Sequence, residues 1–294
     1  MKVLLIGANG QLGTDLHRAL VSQGGSVTPI THSDLDVRDS EKVVELITDG
    51  RFDAVVNTAA FHKVEACETQ PSLAFEVNAL GARNLAQACA RAGCTLVHFS
   101  TDYVFDGRQT KPYSEDDLPG PLNVYGVSKL AGEHLIAGST ERYFVIRTCG
   151  LYGIAGSSGK GGNFVENMLK KAAAGVPIRV VNDQVLTPTF TGGLAEAVSQ
   201  LIQTQAYGLY HVTAEGQCSW YEFARTIFEL ERVTVDLTPA RTDEIPSPVK
   251  RPSYSVLSKQ KLRALGLGML AWQDGLVRYL SARRASPTPA TASC

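Results

Sequence analysis

Val3-Leu4-Leu5-Ile6-Gly7-Ala8-Asn9-Gly10-Gln11-Leu12-Gly13 is the stretch from which the fold can be read. Its apolar run is short and unbroken, as in a strand buried on both faces of a helix-covered parallel sheet. Gly7, Gly10 and Gly13 allow a tight turn into the next segment, residues 11–23. There Leu12, Leu16, Ala19 and Leu20 share one helical face. A glycine turn opening a helix lets an anion approach the backbone, because the first N–H groups and the helix dipole both favour negative charge. The run is too short and too soon broken by Gly7 for a leader peptide, so it is read as a strand.

Working outward, the alternation repeats. Residues 26–30 suit a second strand, 41–47 a helix, 53–57 a third strand, 73–92 one long helix, 95–100 a fourth strand and 143–147 a fifth. Alternating strands and helices predict an α/β fold with a Rossmann-like, doubly wound parallel sheet. Ligands then bind beyond the carboxyl ends of the strands, at residues 7–13, 59–61, 100–103 and 148–153. After about residue 150 the texture changes. A glycine-rich segment, 156–162, precedes a helix near 164–174; 178–181 reads as a strand; Ser219-Trp220-Tyr221-Glu222 has the spacing of a capping box. The expected organisation is a dinucleotide-binding domain over 1–150, a smaller C-terminal substrate-binding region over 151–285 with segments returning to the main sheet, and a disordered tail over 286–294.

Composition narrows the function. Lys and Arg total 28 against 29 Asp and Glu, which leaves no basic excess for nucleic acid. No apolar run reaches the ~20 residues of a membrane span. The six cysteines are scattered without C-x-x-C pairs, which predicts reduced thiols, a cytoplasmic setting and no structural zinc. The 156–162 segment is not a phosphate-binding Walker loop, since Gly161 follows Lys160 where Ser or Thr is required; it is expected to be a rim loop of the cleft. His98, His211, Trp220 and Phe223 are expected in structural roles.

Tyr125-Gly126-Val127-Ser128-Lys129 places a phenol and an amine four residues apart, on one face if the segment is helical. A free phenol has a pKa near ~10 and exchanges protons poorly at neutrality. A nearby ammonium favours the phenolate and brings the phenol towards the range of a general acid. The lysine can also hydrogen-bond the ribose of a dinucleotide. Thr101, just past the fourth strand, can donate to the same carbonyl oxygen that Tyr125 protonates while hydride arrives from a nicotinamide. The G-x-x-G-x-x-G spacing of the first turn fits this short-chain dehydrogenase chemistry. After the second strand, 31–33 are neutral and acids follow only at Asp34 and Asp36, which favours NADPH with NADH tolerated.

These segments together resemble the dTDP-4-dehydrorhamnose reductase family of extended short-chain dehydrogenases. The resemblance runs to about residue 280. It is carried above all by Ser100-Thr101-Asp102-Tyr103-Val104-Phe105-Asp106-Gly107 and by Tyr125-Gly126-Val127-Ser128-Lys129 through Gly132-Glu133, with Asn78-Ala79 and Asn163-Phe164-Val165 in support. It implies an oxidoreductase of dTDP-rhamnose biosynthesis that reduces the 4-keto group of a dTDP-6-deoxyhexose. Catalysis would fall to Thr101, Tyr125 and Lys129. The cofactor would lie against Gly7, Gly10, Gln11, Leu12 and Gly13, then Asp36, Val37, Ala59, Ala60 and Phe61, with Tyr125 and Lys129. Thr101 and Asp102 would touch the sugar.

The chain departs from the family at two places. Gly150 stands where the family often has a tryptophan contacting the sugar, and Asp183-Gln184-Val185-Leu186-Thr187-Pro188-Thr189 lacks the family's glycine. Both bear on which sugar is used. Some members bind magnesium at a dimer contact; a homodimer is compatible with the resemblance, but beyond Asp15 no ligands match and no metal is expected. Two rival readings remain open: a non-catalytic subunit like the regulatory subunit of methionine adenosyltransferase, and a nucleotide-sugar epimerase or dehydratase.

Overall fold

The structure, a computed structural model, describes residues 1–155 and 162–285. The tail 286–294 and nearly all of the expected rim loop 156–162 lie outside the described residues.

The alternation predicted from the first turn is present. β1 (Lys2–Ile6), α1 (Gln11–Ser22), β2 (Ser26–Ile30), α2 (Ser40–Gly50) and β3 (Ala54–Asn57) are followed by α3 (Val64–Thr69), α4 (Pro71–Phe75) and α5 (Gly81–Ala92). Then come β4 (Thr95–Thr101), α6 (Val124–Ala137), β5 (Tyr143–Thr148), β6 (Leu151–Tyr152) and α7 (Phe164–Ala173). Short strands β7 (Ile178–Val181), β8 (Val185–Leu186) and β9 (Thr189–Phe190) lead into α8 (Thr191–Leu201) and β10 (Gly208–His211). The chain continues through β11 (Cys218–Ser219), α9 (Trp220–Glu231), β12 (Leu237–Ala240), α10 (Gln260–Arg263) and α11 (Trp272–Ala285).

Among the described residues, six strands form one parallel sheet in the order β10-β5-β4-β3-β1-β2. With β2 on one side of β1 and β3 on the other, the winding reverses between β1 and β3, and a crevice opens beyond their carboxyl ends. The sheet is sealed on both faces. Leu12, Leu16 and Leu20 of α1 pack with Leu194, Val198 and Leu201 of α8 on one side. Val43 and Ile47 of α2 pack with Leu85, Ala86 and Cys89 of α5 on the other. A third core, with Phe223, Ile227, Trp272 and Leu276, holds the C-terminal elements together. No helix among the described residues is long and apolar enough to cross a membrane.

Two features differ from the sequence reading. The single helix expected over 73–92 is interrupted: a π-helical turn, Glu76–Leu80, separates α4 from α5. A π turn bulges one residue outward, and such bulges gather at functional sites. Here it contains Asn78, whose Oδ1 accepts from the Phe61 backbone N–H (2.9 Å) while Nδ2 donates to Phe61 O and Ser128 Oγ (both 3.0 Å). The turn thereby ties the loop after β3 to α6. The second difference is β10, which sequence reading saw only as the surroundings of His211. It pairs in parallel with β5 and forms one edge of the sheet.

The capping box is formed at the start of α9. Ser219 Oγ accepts from the Glu222 N–H (3.0 Å), and the Glu222 carboxylate accepts from the Ser219 N–H (2.7 Å). Ser219→Ala is expected to lower unfolding stability by about 1 kcal/mol, read as a shift in the urea midpoint at unchanged slope.

Candidate active site

A cavity of about 1270 Å³ opens at the crevice. Single drug-sized ligands occupy roughly 300–1,000 Å³, so the space accommodates a dinucleotide with a second ligand beside it. Every residue expected at the cofactor or the substrate lines it: the glycine turn, Asp36 and Val37, the loop 59–61, Thr101 and Asp102, Tyr125 and Lys129.

The cofactor half is built on the start of α1. Gly10 caps the helix without a side-chain bond, and the first turn carries no acid, so its N–H groups are open to an anion. Gly13 permits the tightness of the turn: a Cβ there would fall 2.2 Å from Gly7 O and 2.9 Å from Ala8 Cα. Gln11 Oε1 and Thr148 Oγ1 are buried without a hydrogen-bond partner, and both residues line the cavity. Buried polar atoms are ordinarily paired, so these two fit a ligand bearing amide and hydroxyl groups. An anion-accepting turn with orphaned polar atoms around it suits a dinucleotide. At the far lip, Arg38 donates to both oxygens of Asp36 and to Glu76 Oε2 (3.1 Å). Its side chain holds the Asp36 carboxyl down at about 2.

The catalytic half depends on how closely α6 approaches the end of β4. Asn123 Oδ1 caps α6 by accepting from the Gly126 N–H (2.9 Å). A Cβ at Gly126 would lie 2.2 Å from Tyr103 O, so only glycine lets the helix rest on the turn that follows Thr101. That contact puts Tyr125 beside Thr101 and edge-on to Tyr103, with ring centroids 6.0 Å apart. Thr101 Oγ1 donates to Asp102 Oδ1 (3.1 Å) and accepts from the Tyr103 N–H (3.1 Å). Asp102 Oδ2 also accepts from the Cys149 thiol (3.0 Å).

The electrostatics correct one expectation. The phenol of Tyr125 is pushed up, by burial first and the Asp102 charge second, with Thr101 opposing. Lys129 was expected to lower it. Instead Lys129 Nζ lies 2.9 Å from His98 Nε2, and burial pulls the lysine down to about 8 against the attraction of Glu133. In this state Tyr125 is a protonated donor.

Several residues here escaped sequence reading. His98, expected in a structural role, is buried with both ring nitrogens engaged, Nδ1 at 3.0 Å from Asn57 Nδ2 and Nε2 at 2.9 Å from Lys129 Nζ, a link to Lys129 that the sequence does not show. Glu133 accepts from Arg147 Nε (3.0 Å) and Nη2 (2.7 Å) and from Ser100, a buried group one helical turn beyond Lys129. Trp220 was expected in the core; it lines the cavity, its ring centroid 4.6 Å from that of Phe164, whereas Phe223 is buried as expected. Arg251 adds a cation to the cavity lining and bonds Glu65 and Ser247 Oγ (2.7 Å). His211 keeps a structural environment, with Nδ1 at 3.1 Å from Tyr113 O. Asp15 accepts from Thr191 Oγ1 (2.6 Å) and Arg18 (3.1 Å). No cluster of three or more His, Cys, Asp or Glu among the described residues is arranged for a metal.

The two sequence departures meet in space. Gly150 has φ +56°, and a Cβ on it would lie 3.0 Å from Leu186 Cδ1 and 3.2 Å from Pro188 Cα. Leu186 therefore closes the space beside the glycine.

Residues 1–285 match the family described as RmlD substrate binding domain. The dTDP-4-dehydrorhamnose reductase of Mycolicibacterium smegmatis is 37% identical over 299 residues, covering 99% of this chain and 89% of that protein. The chain belongs to the dTDP-4-dehydrorhamnose reductase family. Another relative, the spore coat polysaccharide biosynthesis protein SpsK of Bacillus subtilis, is 42% identical over 282 residues, 96% of this chain and 98% of that protein. The crystal structure of the family member from Clostridium acetobutylicum superposes with a TM-score of 0.92 at 39% identity, covering 97% of this chain and all of that one. The Bacillus anthracis reductase, solved in complex with NADP, gives 0.91 at 38%, covering 96% and 99%.

Proposed function

We propose that this chain is an oxidoreductase that uses NADPH, with NADH as an alternative, to reduce the 4-keto group of a dTDP-6-deoxyhexose, most directly dTDP-4-dehydro-L-rhamnose to dTDP-L-rhamnose. The observation that carries this reading is the convergence of Thr101, Tyr125 and Lys129 on the cavity that the glycine turn opens. Family membership supplies the substrate class, and the relative solved with NADP supports the cofactor.

A nicotinamide dinucleotide held here would supply hydride, and the chain's residues do the rest. The α1 N-terminus and the glycine turn would hold its diphosphate, with Gln11, Ala59, Ala60 and Phe61 flanking it. Thr101 and Tyr125 grip the carbonyl oxygen. The buried phenol, kept protonated by its surroundings, delivers its proton to that oxygen as the alkoxide develops. Lys129 stands one helical turn behind Tyr125, placed for the ribose hydroxyls and for the phenolate left after transfer. Asp102, oriented by Thr101 and Cys149, faces the sugar. Residues 1–150 act as the dinucleotide-binding part and 151–285 as the substrate part, with α8 and β10 returning to the main sheet, in a cytoplasmic homodimeric enzyme.

The test is NADPH oxidation, followed by absorbance, across a panel of 4-keto nucleotide sugars. Oxidation that requires the keto sugar and yields the 4-hydroxyl product is expected. A protein that binds NADPH yet turns over none of the panel would not be a reductase of this class.

A further inference from the structure

Behind Lys129 a chain of buried polar groups leads from the loop after β3 to the catalytic helix. The Ala59 backbone N–H donates to Asn57 Oδ1 (3.0 Å). A backbone N–H can only donate, so the oxygen of the Asn57 amide must face it, and Nδ2 must face the other way. Nδ2 lies 3.0 Å from His98 Nδ1, and His98 Nε2 lies 2.9 Å from Lys129 Nζ. The amide nitrogen carries only donors. Nδ1 of His98 is therefore the acceptor, and a neutral ring then carries its proton on Nε2, pointing at the lysine.

We infer that His98 is a positioning residue for Lys129: its tautomer, set by Asn57, donates to the lysine nitrogen and holds that nitrogen as an uncharged amine in the free enzyme. This rests on Lys129 belonging to the reductase site. An ammonium opposite a ring N–H would set two donors against each other; an amine offers its lone pair. The chain from Ala59 to Lys129 is fully bonded only in the second case. Asn57 and His98 are 2% and 1% exposed and stand behind the cavity lining, so water is not at hand to repair a broken link between them.

The surroundings agree. Burial moves His98 and Lys129 each towards its neutral form. From α6, Glu133 favours the ammonium, but its oxygens are engaged by Arg147 of β5 and Ser100 of β4. Tyr125 of the same helix is a neutral phenol under the influence of Asp102, beyond β4, and of Cys67 in α3. The donor conflict adds to burial, so the amine persists to lower pH than burial alone dictates. Protonating Lys129 requires one link of the chain to break.

The direct test is long-range 1H–15N correlation on cofactor-free protein labelled in its six histidines, with His98 assigned by its loss in His98→Gln. A neutral His98 protonated on Nε2 is expected between about pH 6 and 8, around the ordinary histidine pKa. An Nδ1-protonated or doubly protonated ring would overturn the inference. Asn57→Asp puts an acceptor against Nδ1, so the ring should flip to Nδ1–H and leave Nε2 to accept from a Lys129 ammonium. The protonation midpoint of Lys129, followed by the 15N shift of its Nζ in lysine-labelled cofactor-free protein, should then move up by about one pH unit, a tenfold change in the protonation equilibrium. A raised midpoint without the flipped tautomer would mean that added charge alone acts on Lys129, and would also overturn it. If Asn57→Asp does not fold, the wild-type spectrum decides. Lys129→Met separates the two readings: full turnover in that variant removes Lys129 from the reductase mechanism, whatever tautomer His98 adopts.

Discussion

Tyr125→Phe is expected to lower kcat for ketone reduction by at least ~100-fold, the scale for losing a positioned proton donor, while NADPH binds as before. The change removes one oxygen and keeps the ring, its edge-on contact with Tyr103 and the start of α6. The lost atom is the one beside Thr101, where the proposed reaction puts the carbonyl oxygen. The diphosphate site at the start of α1 lies on a different element, so the NADPH dissociation constant, measured by fluorescence titration, should stay within about twofold of wild type, less than ~0.5 kcal/mol. A wild-type rate in the phenylalanine enzyme would remove the phenol from the proton transfer.

Glu133→Gln is expected to be the most destabilising of the conservative changes near the site, by about 3–5 kcal/mol, because removing one partner of a buried ion pair strands the other. The side chains of Arg147 and Glu133 are 3% and 8% exposed. Arg147 reaches Glu133 through Nε and Nη2 and stands over the Phe105 ring at 5.1 Å. A glutamine amide of the same shape turns an NH2 towards a guanidinium or leaves one of its donors unmet. Urea unfolding should show the midpoint fall at unchanged slope. Glu133 also accepts from Ser100 and lies one turn beyond Lys129, so the surviving fraction should show a reduced kcat. A loss below about 1 kcal/mol, the ordinary value of an exposed pair, would show that the pair is not desolvated in solution.

The fold was legible in the sequence where one periodicity prevailed. The apolar runs Val3–Ile6 of β1 and Ala54–Val56 of β3 are unbroken, and β4 is buried along its whole length, because both faces of the sheet are covered, and the glycine turn marks where the ligand edge lies. The Thr101, Tyr125 and Lys129 grouping was legible because an i, i+4 pair on a helix must share a face. What was hidden depends on long-range pairing. β10 is only four residues, closes an edge, and carries no alternation that separates it from a loop. The π turn at Asn78 leaves the helical pattern of residues 71–92 apparently whole, since one extra residue in a turn barely shifts the apolar face. His98 reads as one more member of a buried strand until α6 brings Lys129 against it. Nothing local distinguishes it from His211, whose neighbours are structural.

The leucine-against-glycine contact keeps this wall of the cavity closed to a large ring. A residue with a Cβ at position 150 would stand in the left-handed region at φ +56° and lie 3.0 Å from Leu186 Cδ1 and 3.2 Å from Pro188 Cα, so Gly150→Trp meets an obstacle in its own backbone and in its neighbours. A smaller residue at 186 removes only one of the two, and reshaping this wall therefore takes a backbone change as well as a side-chain change.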